Sequence, residues 1–96
     1  MTTQIKTNLN VNIGGIDLHV DNLYITHDRL DGGVVTAVFR YEKEGLVKLA
    51  EELLSNVVKK VFVESTGSYY FPLALTLKSR GIEYTFSMQL RQRIPT

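Results

Sequence analysis

The chain contains no cysteine, which removes disulfide scaffolds and thiolate zinc sites and leaves packing alone to hold the fold. It has no apolar run of the length that crosses a bilayer. Its first residues, MTTQIKTNLN, lack the charged-then-apolar layout of a signal peptide. A soluble, intracellular, cytoplasmic protein is the expectation. Charge of one sign is scarce too. Eleven Lys and Arg stand against ten Asp and Glu, a formal net of +1, which argues against a strong polyanion binder and against a disordered acidic tail. Neither GxxxxGK[ST] nor GxGxxG occurs, and no Ser/His/Asp order of a nucleophilic triad is present. Phosphate-loop hydrolysis and triad chemistry therefore drop out.

What is there fits one domain over residues 1–96, with 44% hydrophobic residues to build its core and residues 1–8 as a flexible arm. Charge is unevenly spread. Residues 1–33 hold Lys6 and Arg29 against Asp17, Asp21, Asp28 and Asp31, a net of −2. Residues 61–96 hold Lys78, Arg80, Arg91 and Arg93 against Glu64 and Glu83, a net of +2.

Order is expected from about Leu9. Leu9, Val11 and Ile13 alternate with asparagines, Gly14-Gly15 interrupts, and Ile16, Leu18 and Val20 resume the period with Asp17 and His19 on the opposite face. Asp21-Asn22 is a turn, Leu23 to Ile25 a second short strand, and Asp31-Gly32-Gly33 a turn into a third strand, VVTAVFRY at 34–41. Leu46, Leu49, Ala50, Leu53 and Leu54 then form one stripe of a helix over 44–55. The apolar run from Val57 to Val63 becomes the strand that presents Glu64.

Residues 71–90 read two ways. Alternation of Phe71, Leu73, Leu75 and Leu77, and of Ile82 through Leu90, describes a C-terminal β-hairpin. Pro72 at a first helical position and Gly81 as a stop describe a helix followed by a strand.

Three blocks in order carry a family resemblance: GIDLHVDNLYIT at 15–26, FRYEKEGLVKLAEELL at 39–54, and KKVFVESTGSYYFPLALTLKSRGIEY at 60–84. Together they resemble the N-terminal part of the IS110-type transposases, which carry a RuvC-like, RNase H-type catalytic domain with a DEDD set of acids and are guided by an RNA of their own element. The resemblance implies an α/β (α+β) RNase H-like partial domain, a three-stranded antiparallel meander followed by helix, strand, helix and strand. The hairpin version, an α+β fold with one helix, is the alternative. It further implies DNA and guide RNA as partners and Mg²⁺ as cofactor. Asp17 and Glu64 become the first two metal-binding catalytic acids, and Thr66, Gly67, Tyr69, Arg91 and Arg93 the residues that meet nucleic acid. The chain departs from the family pattern at Ser87-Met88, where Asn-Pro is expected, and Thr96 comes before any place for two later aspartates. The expectation is therefore an N-terminal segment, or a small protein keeping half the fold, inactive alone.

Two further readings come from residue chemistry. Asp17, His19, His27 and Asp28 offer a His/carboxylate metal set, against a plainer role as surface groups. A non-enzymatic α+β module of viral or mobile-element origin would bind protein or nucleic acid, and would dimerise through the strand at 82–90.

Overall fold

The computed structural model describes residues 11–65, 67 and 69–88, in the order β1 (Asn12–Leu18), β2 (Asn22–Asp28), β3 (Val34–Arg40), α1 (Lys43–Ser55), β4 (Val58–Ser65), α2 (Phe71–Ser79) and β5 (Glu83–Met88). The strands form one sheet in the order β3-β2-β1-β4-β5. β1, β2 and β3 pair antiparallel, whereas β1 with β4 and β4 with β5 are parallel. Parallel neighbours need a crossover, and α1 and α2 supply part of the two connections. This is the RNase H-like arrangement that the resemblance implies.

Both helices lie on one face. Leu46, Leu49 and Leu53 of α1 and Leu73 and Leu77 of α2 join Ile16, Leu18, Leu23, Ile25, Val61 and Val63 of the sheet in a single buried cluster. Strand alternation sends the intervening residues to the other face, where Ile13, Tyr24, Val34, Val38 and Phe62 are exposed. The expected stripe of α1 is therefore realised except at Leu54, which points to solvent. Gly45 shows how closely α1 meets the sheet's end: a Cβ there would run into the backbone carbonyl of Arg40.

The hairpin alternative for 71–90 fails, and local chemistry explains why. Pro72 sits in the first turn of α2, where its missing N–H costs nothing. At the other end Gly81 has φ +74°, the Gly81 N–H donates to the Lys78 carbonyl at 3.1 Å, and the Ile82 N–H donates to the Leu77 carbonyl at 2.9 Å. That pair of bonds is a Schellman cap, closed by buried Ile82. The alternating leucines meant one thing to a strand and another to a helix. The two ends decided it.

Two expectations change in detail. β1 runs through Gly14-Gly15 without interruption, and the irregularity in its pairing with β4 falls between Asn12 and Ile13. Gly14 makes a close approach, since a Cβ there would lie 3.0 Å from that of His27 and 3.4 Å from Cγ1 of Val61. β2 extends past Ile25 to Asp28, so His27 is a buried strand residue and not a surface group. Leu9 lies outside the described residues.

The exit from α1 is knotted to the rest of the chain. Asn56 donates from Nδ2 to the Glu52 carbonyl, accepts the Leu30 N–H at its Oδ1, and accepts Asn12 Nδ2 at its carbonyl, at 2.8–3.1 Å. Val57 follows with φ 56°, a left-handed backbone that a β-branched residue adopts at a cost.

Candidate functional site

Parallel pairing of β1 with β4 sets Asp17 directly beside Glu64. Neighbouring strands lie about 5 Å apart, so the two carboxylates stand side by side on the open face. The full row across the sheet is Val38, Tyr24, Asp17, Glu64 and Ser87, one residue from each strand. The next row is Thr36, Thr26, Gly15, Phe62 and Thr85. Gly15 has nothing within 4 Å of where its Cβ would be, so it leaves a notch between Thr26 and Phe62. The result is a shallow depression of about 410 Å³ floored by Gly15 and Ile16, rimmed by Tyr24 and Phe62, and carrying both acids at one side.

Strand alternation explains why both acids are exposed while their chain neighbours Leu18 and Val63 are buried. His19, just past the end of β1, holds its Nε2 3.3 Å from Oδ2 of Asp17, and its ring meets Tyr24 edge-on with centroids 5.0 Å apart. Asp17 and His19 thus meet as the spacing of two predicts.

The other half of the proposed His/carboxylate set does not join them. His27 projects to the helix-covered face, where its Nδ1 donates to the Asp28 carbonyl at 2.8 Å and its Nε2 lies 2.9 Å from Oε2 of Glu52 on α1. Asp28 accepts the Ile13 N–H at 2.9 Å. Among the described residues no group of three or more His, Asp and Glu is arranged to hold a metal ion.

The turn after Glu64 is built from residues that hold one another. Ser65 Oγ donates to the Gly67 carbonyl at 3.0 Å and lies 3.1 Å from the Gly67 nitrogen. The Tyr69 ring lies so close over Gly67 that no Cβ fits there. Tyr69 packs against the core side, and its carbonyl accepts the Tyr41 hydroxyl. Tyr41 Oη in turn accepts the Leu73 N–H at 3.3 Å. Burial pushes the Tyr41 phenol above its ordinary value, partly offset by that N–H, while the nearby Tyr69 adds to the rise. Of the expected nucleic-acid contacts, Gly67 and Tyr69 are thus part of the clasp beside Glu64; Thr66, Arg91 and Arg93 lie outside the described residues.

Sequence reasoning missed Tyr41, Glu52 and Asn56. Their partners are 25 to 44 residues away in the chain, and no local pattern announces such a contact.

No family model matches the chain, and no curated protein matches it. Solved structures do, and they define the fold class as RNase H-like. Thermus thermophilus RuvC, solved in complex with a Holliday junction substrate, superposes with a TM-score of 0.61 at 13% identity, over 83% of this chain and 66% of its own. Archaeoglobus fulgidus Pelota superposes with a TM-score of 0.57 at 16% identity, over 98% of this chain and 31% of its own. At these identities the likeness is one of fold. The chain spans 66% of the RuvC chain and under a third of the Pelota chain.

Proposed function

We propose that this chain is an RNase H-like segment of the IS110 transposase type, whose chemistry is Mg²⁺-dependent DNA strand transfer, with Asp17 and Glu64 as its first two metal-binding acids. The observation that carries the reading is the pairing of Asp17 with Glu64 across β1 and β4, on the face left open by the helices. The helix at Phe71–Ser79 supports it as well, because a hairpin there would have broken the topology.

The residues present fit part of a metal site. Mg²⁺ is held by one or two carboxylates together with water and phosphate oxygens, and two adjacent, exposed carboxylates meet that share. Bound there, the ion would activate an attacking oxygen and stabilise a leaving one. The chain's own contribution is to orient the two carboxylates on rigid neighbouring strands, with His19 against Asp17 and the Ser65–Tyr69 clasp fixing the turn beyond Glu64. DNA, paired to a guide RNA, would be the partner, as the resemblance implies. Two acids are half of a DEDD set, so the 96-residue chain alone is inactive in this reading.

The test has two readouts. Mn²⁺, as a paramagnetic stand-in for Mg²⁺, is expected to broaden the resonances of residues 15–19 and 62–65 first, and Asp17→Asn with Glu64→Gln is expected to abolish that broadening. Supercoiled DNA is expected to stay intact in Mg²⁺. Broadening centred elsewhere would dismiss the site, and nicking abolished by Glu64→Gln would dismiss the claim that the segment is inactive alone.

A further inference from the structure

The sheet has two edges, and they are chemically unlike. β5 presents Glu83, Thr85 and Ser87 on the open face, and Glu83 lies 4.0 Å from Lys60. Charge and hydroxyls blunt such an edge. β3, VVTAVFR, has no proline, glycine, lysine or acid, and its one charge is Arg40 at the very end. Val34 and Val38 are exposed on the open face at 66% and 55%, while Val35, Ala37 and Phe39 are only half-buried on the helix side. Antiparallel pairing with β2 turns every second N–H and C=O of β3 outward. Among the described residues no strand lies beyond it.

We infer that β3 is the interface through which two copies of this chain pair, antiparallel and about a two-fold axis at Ala37. Self-complementarity and charge single out that partner. With Ala37 opposite its own copy, all seven residues are paired, and Val35 faces Phe39 of the second copy, a β-branched and aromatic pair of the kind that stabilises sheets. Val34 then faces Arg40 of the second copy. Asp28 stands beside Val34 in the β2–β3 register, and Asp31 lies in the adjoining turn bound to Arg29. The group Asp28, Arg29 and Asp31 carries a net of one negative charge. The antiparallel arrangement therefore brings Arg40, whose side chain is 75% exposed with Glu42 3.7 Å away, to an acidic end twice over. A parallel pairing would set Arg40 against its own copy. The small Ala37 at the axis lets the strands close, and a two-fold contact of this kind is self-limiting where a head-to-tail one is not.

Light scattering over a range of concentrations is expected to give twice 10.9 kDa for the wild type at the high end. Amide exchange at 34–40 should slow as concentration rises. Val38→Lys, at an exposed position, is expected to return the mass to one copy and remove that slowing, with β1 and β4 amides still protected as proof of folding. Thr85→Lys on β5 should leave the dimer intact, and Arg40→Ala should weaken it several-fold. The inference is overturned by a monomer at every concentration. It is equally overturned if Thr85→Lys dissolves the dimer and Val38→Lys does not, or if 34–40 is protected in a monomer independent of concentration, since the edge would then be covered within one copy.

Discussion

The two faces of the sheet differ although each strand feeds both. On the covered face Leu18, Leu23, Ile25, Val61 and Val63 meet the leucines of α1 and α2, and the only polar side chains buried in the described residues are His27 and Ser65. On the open face the same strands present Asp17, Tyr24, Thr26, Phe62 and Glu64, a mixture no core would tolerate. The covered face makes the fold stable. The open face is where chemistry and partners have room, because a carboxylate there keeps its water.

Adjacent residues give the sharpest way to break that comparison. Leu18 and Asp17 are neighbours in the chain and lie on opposite faces. Leu18→Ala is expected to cost about 3 kcal/mol in urea unfolding, from lost burial and the cavity left behind. Asp17→Asn should change stability by under about 1 kcal/mol, since the pairing it loses is with exposed His19. Equal losses at the two positions would mean that the open face is not open.

Tyr41→Phe probes the junction between the faces. It removes a hydroxyl that both donates to Tyr69 and accepts from Leu73, and should cost about 1–2 kcal/mol. It also changes the alkaline limb. The folded phenol holds its proton above the ordinary tyrosine value because of burial, so its contribution is complete below about pH 10 and is lost as pH rises through the higher folded value. Stability, followed by urea unfolding from about pH 9 upward, should decline less steeply in Tyr41→Phe than in the wild type.

One further effect has the opposite sign. Val57→Gly relieves a left-handed backbone at the end of α1, where the valine side chain is exposed and buries little. A gain of about 1 kcal/mol, read as a raised melting temperature, is expected. A loss would mean that the valine packs usefully despite its exposure.

Much of this was legible in the chain itself. Period-two alternation marked the strands, Leu46, Leu49, Ala50 and Leu53 marked the first helix, and Asp31-Gly32-Gly33 marked the turn that positive φ at Gly32 then uses. The resemblance placed Asp17 and Glu64 on strands that do lie side by side. His27 looked like a surface group because its partner Glu52 is 25 residues away. Alternation left the leucines of 71–77 open to strand or helix, and the resemblance favoured the helix that forms.

Periodicity is local, so the sequence by itself determined which residues alternate, which side of each strand is apolar, and where the acids fall along it. Which strand neighbours which, that Gly14 lies close against His27, that Tyr41 clasps the turn beyond Glu64, and that the edge strand β3 is the more apolar and β5 the more polar of the described edges were decided only in the tertiary structure. Each depends on contacts between distant segments, whose energies appear only once the chain has closed on itself.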